Sequence, residues 1–312
     1  MRVIVDHQKN VLVYDIGGSH VSAALCFEGD YRLGPTVIAH HPEEQSSDAF
    51  VETLHALGLK AAPDIHNVLG AELAMPGPFD YTEGVSWMRH KMPYLYGVNL
   101  RDALAQRFGW QTGQVHFLND AAAHLLGEIG AGAARGVHRA VSITLGTGVG
   151  SAFAIDGRIV THGPGVPAGG EIWNLPYEGH IVEDFISTRA IQQSYLERTG
   201  EEREVAAIAS GANENPAAVE IFTEFGRRLG VMLRELFSAF APDVVVLGGG
   251  IARSAPLFLA VAQDQVKEIP IELRISALGD HAPLVGAGVA WFADSTVSRA
   301  KPVSEALHSE AP

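Results

Sequence analysis

Two stretches of the chain share one pattern: an apolar strand, a glycine-rich turn and a second apolar strand. The first is Val11–Leu25, which reads VLVYDIGGSHVSAAL, and the second is Ala140–Val160, which reads AVSITLGTGVGSAFAIDGRIV. In the second stretch, Asp156-Gly157 between apolar runs predicts a further hairpin. Because the two stretches open halves of comparable size, the pattern predicts a duplicated α/β architecture with a cleft between the halves.

Each half continues with alternating strand-like and helix-like segments. Strands are predicted over Val68–Met75, Gln114–Leu118 and Asp243–Leu247, and helices over Ser47–Leu59, Leu100–Phe108, Asn119–Ile129, Val182–Arg198 and Pro216–Phe240. We place the domain boundary near Ala121–Ala122, with a small N-terminal domain at 1–121 and a larger domain at 122–290. The last helix, 291–312, is expected to pack back on the first domain.

The composition excludes several classes of protein. The chain has 312 residues, of which 47% are apolar and 19% charged, so it can bury substantial cores. A net charge of -14 without any Lys/Arg run argues against nucleic acid as a partner. No apolar run is long enough to span a membrane, and no signal peptide is evident. Because Cys26 is the only cysteine, no intrachain disulfide can form. We expect a cytoplasmic protein.

The glycine turns are candidates for phosphate binding, because backbone N–H groups without a Cβ beside them can approach an anion. The first glycine turn is Gly17-Gly18-Ser19, the second is Gly146-Thr147-Gly148, and a third glycine cluster, Gly248-Gly249-Gly250, follows an apolar strand. Either turn alone is equally compatible with an ordinary tight hairpin. Neither turn leads into a helix, as the P-loop and the Rossmann fingerprint require.

Polar residues at strand ends accompany these glycines. Asp15 precedes the first glycine turn and can hold Mg²⁺, or it can accept local backbone hydrogen bonds. Asn119-Asp120 lies where a strand gives way to a helix, a position where both residue types also serve as helix caps. Their combination with three glycine clusters favours a nucleotide site.

These motifs together resemble the ROK family of bacterial sugar kinases and related repressors, within the actin/hexokinase-like ATPase superfamily. The resemblance runs from about Val11 to Trp291. Six motifs occur in the family's order: Asp15–Ser19, Pro76–Pro78 with Gly97–Leu100, Asn119–Ala121, Leu145–Gly150, Gly169–Ile172 and Val246–Ile251. The resemblance implies a two-domain, ribonuclease H-like α/β fold whose interdomain cleft binds the substrates.

The resemblance also implies roles for individual residues. Asp120 would be the general base for the attacking sugar hydroxyl. Asp15 would hold Mg²⁺, and the three glycine clusters would bind ATP. The implied substrate-binding residues are Gly77, Lys91, Asn119, Asp120, Glu171, Asn174 and Glu183. The expected partners are a sugar and a nucleotide, in a homodimer.

The sequence departs from the family pattern at the sugar side. Many members carry Gly-His and a cysteine-rich loop that hold a structural zinc, whereas this chain has Trp173-Asn174 and no cysteine there. We therefore expect no structural zinc. Lys91 stands where sugar-binding members usually have Asn. Lys91 either contacts the substrate or pairs with Glu171 or Glu183, and we expect glucose to be a poor substrate in both cases.

Three alternatives compete with an ATP-dependent sugar kinase. A DNA-binding regulator needs a helix-turn-helix region ahead of Asp15, where this sequence has 14 residues. A catalytically silent sugar-binding or sensing protein would have lost Asp120 or a turn glycine, and both are retained. A kinase that uses polyphosphate as donor remains open. The 14 histidines, including His40-His41, are interpreted as surface or packing residues.

Overall fold

The computed structural model describes residues 8–18, 20–42 and 45–294. Ser19 of the first glycine turn lies outside the described residues, as do positions 295–312 of the helix expected at the end of the chain. No helix within the described ranges is long and apolar enough to cross a membrane.

Two five-stranded sheets have the same strand order. The first sheet runs β3 (Val37–His40), β2 (His20–Phe27), β1 (Asn10–Ile16), β4 (Ala71–Met75), β7 (Val115–Asn119). The second runs β10 (Arg158–Val160), β9 (Val149–Ile155), β8 (Arg139–Leu145), β13 (Val244–Gly248), β14 (Glu272–Ile275). Two short hairpins, β5–β6 (Phe79–Asp80, Val85–Ser86) and β11–β12 (Pro176–Tyr177, His180–Ile181), complete the strands.

The strand directions also match between the sheets. In each sheet the first three strands pair antiparallel, the third strand pairs in parallel with the fourth, and the fourth pairs in parallel with the fifth. The hairpin predicted at Asp156-Gly157 joins β9 to β10. The predicted α/β fold, with two related halves, is therefore confirmed.

The helices lie between and after these strands. They are α1 (Ser47–Ala61), α2 (Leu100–Phe108), α3 (Asp120–Ala131), α4 (Glu183–Ile186), α5 (Thr188–Thr199), α6 (Val205–Ser210), α7 (Pro216–Phe237), α8 (Leu259–Gln265) and α9 (Ala282–Asp294).

Two details differ from the sequence prediction. The helix expected over Val182–Arg198 is interrupted at Ser187, whose backbone is extended. In α7, apolar residues at helical spacing predict a buried stripe, but Val219 of that stripe is exposed, while Phe222, Phe225, Leu229 and Leu233 are buried.

Helices α3 and α9 pack between the two sheets. Helix α3 packs against β8 and β9 of the second sheet, while α9 packs against β1, β2 and β4 of the first. The two helices also pack closely against each other, because glycines lie at the contact: a Cβ on Gly286 would overlap the carbonyl of Ala123, and one on Gly127 would overlap the carbonyl of Ala282. The domain boundary at 121/122 stays a prediction.

Candidate active site

The junction between β7 and α3 fixes the carboxylate of Asp120. Asn119 caps the helix, since its Oδ1 accepts a hydrogen bond from the Ala122 N–H at 3.0 Å. Its Nδ2 donates to Asp120 Oδ1 at 3.1 Å, and the Ala121 N–H donates to the same oxygen at 2.8 Å. No other described residue donates a hydrogen bond to Asp120 Oδ2. One carboxylate oxygen is therefore held in place while the other is available to accept a proton.

The surroundings of Asp120 raise the pKa of its carboxyl group. Burial is the largest cause, and it is partly offset by the Lys91 ammonium group and by the hydrogen bonds from Ala121 and Asn119. A carboxylate with a raised pKa is a stronger base than an exposed one.

Asp15 lies at the end of β1, and burial raises its pKa to about 7, with further contributions from the carboxylates of Asp120 and Asp280. The three acids come from β1, α3 and the turn before α9. Mutual repulsion of this kind is relieved by a cation, and hard divalent cations prefer carboxylate oxygens. The buried carboxylate of Asp15 is therefore a candidate ligand for a divalent cation.

The first glycine turn joins β1 to β2. The Gly17 N–H donates to the His20 carbonyl at 2.9 Å, which closes the turn. Apart from its two chain neighbours, no described residue has an atom within 4 Å of a Cβ added to Gly18, so the turn borders open space there. The Gly17 carbonyl is held from the other side by the ring of His41, whose Nε2 lies 3.0 Å away.

The second glycine turn joins β8 to β9 in the equivalent position of the second sheet. It closes through a hydrogen bond of 3.1 Å from the Gly146 N–H to the Gly148 carbonyl. Glu183 Oε2 accepts the Val149 N–H at 3.0 Å, and a Cβ on Gly148 would come within 2.9 Å of the same oxygen. The Glu183 carboxylate thus lies against this turn, whereas the family resemblance assigns it to sugar hydroxyls.

The third glycine cluster begins at the end of β13. Gly249 has φ of +82°, and a Cβ there would overlap the backbone of Leu145, the residue that precedes the second glycine turn. Gly248 is packed equally closely against the ring of His124 on α3. The third cluster therefore lies directly beside the second turn.

Tyr81 is a central residue that the sequence analysis missed. Its hydroxyl donates to the Met75 carbonyl at 3.1 Å and accepts a hydrogen bond of 3.2 Å from Asn119 Nδ2. Its pKa is raised, chiefly by burial; the Asn119 hydrogen bond lowers it, and the carboxylates of Asp120 and Glu171 raise it further. The Tyr81 hydroxyl is thus close enough to both Asp120 and Glu171 to be affected by their charges. Gly77 lies next to it: a Cβ there would be 3.6 Å from the hydroxyl.

The remaining predicted sugar-side residues are exposed. The Glu171 carboxylate accepts a hydrogen bond of 3.0 Å from Trp173 Nε1, and the Trp173 side chain is 38% exposed. Asn174 lies on the surface beside them. No ion pair joins Lys91 to Glu171 or Glu183 among the described residues, and the Lys91 charge lowers the pKa of Asp120. Whether Lys91 contacts the substrate stays a prediction.

The described residues contain no group of three or more His, Cys, Asp or Glu side chains arranged to hold a metal ion. The absence of a structural zinc stays a prediction.

Comparison with known proteins identifies the family. Residues 11–294 match the model of the ROK family. The chain belongs to the ROK family. It is 28% identical over 307 residues to a glucokinase of Thermotoga maritima, an alignment that covers 88% of this chain and 94% of the relative.

Solved structures confirm the fold. The ROK hexokinase of Thermus thermophilus has a TM-score of 0.75 and 26% identity, covering 92% of this chain and 99% of that one. A ROK family glucokinase from Streptomyces griseus, in complex with glucose and AMPPNP, has a TM-score of 0.74 and 24% identity, covering 89% and 97%. The predicted actin/hexokinase-like ATPase fold is thereby confirmed.

Proposed function

We propose that this ROK family member is a carbohydrate kinase that transfers the γ-phosphoryl group of ATP to a hydroxyl of a hexose or hexose derivative. One observation carries the proposal. Asp120 has one oxygen fixed by Asn119 and Ala121, a second oxygen without a hydrogen bond from the described residues, and a raised pKa. The glucokinase and hexokinase among the relatives support the same reaction class.

In the proposed mechanism, Asp120 Oδ2 takes the proton of the attacking sugar hydroxyl as its oxygen meets the γ-phosphorus and the bond to the β,γ-bridging oxygen breaks. The Asn119 amide holds Asp120 Oδ1 in place and thereby fixes the orientation of Oδ2 toward the sugar hydroxyl. Asn119 and Glu171 bind neighbouring sugar hydroxyls, with Gly77, Lys91, Asn174 and Glu183 as further proposed contacts.

The glycine clusters bind the nucleotide. The backbone N–H groups of the first and second glycine turns donate to the phosphate oxygens, and the third cluster lies against the adenosine. Asp15 would hold Mg²⁺ bound to the phosphates, and the ion would supply charge neutralisation at the transferring group. Residues 1–121 and 122–290 would form the two domains that close over both substrates and exclude water. Because ATP is the proposed donor, we propose that the enzyme is cytoplasmic. We also propose that it is a homodimer.

The substrate follows from Lys91 and Asn174. Lys91 offers three donors and no acceptor, and Asn174 replaces a family histidine with a group that cannot titrate. Hydrogen bonds tuned to glucose are therefore altered, and a mismatched buried hydrogen bond costs roughly 1–3 kcal/mol. Another hexose, an N-acylated amino sugar or a sugar derivative is the proposed substrate.

A coupled assay of ADP release tests the proposal on glucose, mannose, fructose, allose, N-acetylglucosamine and N-acetylmannosamine, with polyphosphate as the alternative donor. We expect ATP-dependent turnover of at least one sugar other than glucose, which the Asp120→Asn variant loses. Turnover with polyphosphate but not with ATP would show that polyphosphate, and not ATP, is the phosphoryl donor. Sugar binding by calorimetry without turnover from either donor would favour the silent sugar-binding protein; a putative xylose repressor is among the relatives. If glucose has the highest kcat/KM, the specificity argument from Lys91 and Asn174 fails.

A further inference from the structure

His41 is a buried histidine that the mechanism above does not use. It follows β3, and only 6% of its surface is exposed. Its ring packs edge-on against Phe50, with ring centroids 5.4 Å apart. A buried polar side chain of this kind needs hydrogen-bond partners for both ring nitrogens. The sequence analysis interpreted it as a surface or packing histidine, and its contacts show a more specific arrangement.

Both ring nitrogens of His41 have partners. Nε2 lies 3.0 Å from the carbonyl oxygen of Gly17 in the first glycine turn. Nδ1 lies 3.3 Å from the hydroxyl of Tyr94, which in turn receives a hydrogen bond of 2.9 Å from Gln45 Nε2. The four groups form one continuous chain of hydrogen bonds from Gln45 to the turn.

The chemistry of these partners fixes the direction of every bond. A carbonyl oxygen can only accept, so His41 Nε2 must carry a hydrogen. In the neutral ring, Nδ1 is then an acceptor, and Tyr94 must donate its hydroxyl hydrogen to it. The Tyr94 oxygen remains free to accept from the Gln45 amide. One tautomer of His41 therefore satisfies the whole chain.

We infer that His41 is a positioning residue that orients the Gly17-Gly18 peptide for phosphate binding, an inference that rests on the proposed kinase function. In a trans peptide the C=O and the following N–H point in opposite directions. Because His41 holds the Gly17 carbonyl, the Gly18 N–H is turned away from His41. Gly18 borders open space, since a Cβ there meets no atom within 4 Å. The N–H is thus presented on the open side of the turn, where a nucleotide phosphate can accept it.

Tyr94 extends this arrangement to the sugar side. It lies in the short 3₁₀ helix Pro93–Leu95, directly after the segment that carries Lys91. The phenol therefore links that segment to the first glycine turn. Loss of the Tyr94 hydroxyl leaves the His41 Nδ1 without its donor but keeps the bond to Gly17, so its effect should be smaller than loss of the imidazole.

Three variants of the full chain test the inference: His41→Leu removes the donor, His41→Gln retains an amide N–H that can reach a carbonyl, and Tyr94→Phe removes only the hydroxyl. The dissociation constant of Mg·ADP is measured by calorimetry, together with the KM for ATP, the KM for the sugar and the melting temperature. We expect His41→Leu to weaken Mg·ADP binding about 5–10-fold, the factor that corresponds to one hydrogen bond. His41→Gln should recover most of that loss, and sugar KM should change less than twofold in each variant.

The outcomes separate this inference from the proposed function. If the wild type binds Mg·ADP and phosphorylates a sugar, but His41→Leu and His41→Gln bind Mg·ADP as tightly as the wild type, the positioning role is overturned while the kinase stands. Equal losses in the Leu and Gln variants also overturn it, because a donor to Gly17 would then be irrelevant. A wild type without kinase activity contradicts the proposed function itself. If His41→Leu does not fold, the other two variants decide. The inference is overturned if Tyr94→Phe binds Mg·ADP as tightly as the wild type while His41→Gln binds it at least fivefold more weakly.

Discussion

At the scale of single residues, the first prediction concerns the general base. Replacing Asp120 by Asn keeps the shape of the side chain and its hydrogen bonds from Asn119 and Ala121, but an amide cannot take a proton at neutral pH. We expect kcat to fall about 10²–10⁴-fold, the usual effect of losing a general base. The KM for the sugar should change little, and the melting temperature should not fall. A variant that retains more than about a tenth of the wild-type kcat would remove Asp120 from the mechanism.

A second prediction concerns Trp173, whose partly exposed indole is fixed by the hydrogen bond to Glu171. An indole held beside Glu171, a carboxylate proposed to bind the sugar, offers an apolar face on which a sugar ring can stack. We expect Trp173→Ala to raise the KM for the preferred sugar about fivefold, a factor that corresponds to about 1 kcal/mol of aromatic contact. Trp173→Phe, which keeps a ring without the N–H, should give an intermediate KM. The KM for ATP serves as the control, and an unchanged sugar KM in the Ala variant would contradict the stacking role.

The sequence predicts those site residues that local order reveals. Asp15 stands at a strand end beside a glycine turn, and Asp120 stands where a strand gives way to a helix, so the pattern of neighbouring residues identifies them. Tyr81 and His41 were missed because their partners are distant in sequence: Tyr81 bonds Asn119 and His41 bonds Gly17, 38 and 24 residues away. Such bonds depend on how the strands and segments are brought together in three dimensions, which no spacing rule provides.

At the scale of elements, the contact between α3 and α9 depends on glycines. A Cβ on Gly286 would overlap the Ala123 carbonyl, a backbone atom that cannot rotate away. We expect Gly286→Ala to lower the free energy of unfolding by about 1–3 kcal/mol, as overpacking does, although alanine is the better helix former. Chemical denaturation measures the change.

Gly113→Ala is the matched control, since a Cβ there meets no atom within 4 Å. Its free energy of unfolding should stay within about 0.5 kcal/mol of the wild type, as for ordinary surface changes. If Gly286→Ala is as stable as this control, the helices can separate without cost and the close contact is not needed. The sequence analysis did not foresee this crossing. It also missed the break at Ser187, because the apolar spacing continues across it without glycine or proline.

At the scale of the whole molecule, the duplication was the most predictable feature. The two strand–turn–strand stretches, read from sequence, are β1–β2 and β8–β9, which occupy the same position in their sheets. What the pattern did not contain is that the folded chain brings the carboxylates of Asp120 and Asp280 close enough to Asp15 to raise its pKa. Their mutual influence is a property of the folded molecule alone.

The last prediction follows from the raised pKa of Asp15. Burial and the neighbouring carboxylates raise the pKa of Asp15 to about 7 in the folded protein, whereas an unfolded Asp titrates near 3.9. Between pH ~4 and ~7 the folded state therefore binds more protons than the unfolded state, and this group makes stability fall as pH rises through that window. Above about pH 7 the penalty is complete, and below about pH 4 it is absent. Asp15→Asn removes this penalty. In metal-free buffer at pH 8 the free energy of unfolding of the variant should exceed that of the wild type by on the order of 1–4 kcal/mol, with a higher melting temperature. At pH 4 the two melting temperatures should be nearly the same.

Two further measurements make this prediction specific. Asp280→Asn removes one of the two repelling carboxylates and should give a smaller gain at pH 8, because burial, the largest cause, remains. Mg·ADP should raise the melting temperature of the wild type by mass action and raise that of Asp15→Asn much less, since the variant lacks the carboxylate proposed to hold the ion. A gain of equal size at pH 4 and pH 8 would show that the stabilisation does not come from the ionisation of Asp15. A loss at pH 8 would show that Asp15 is charged and satisfied in the folded protein without any metal.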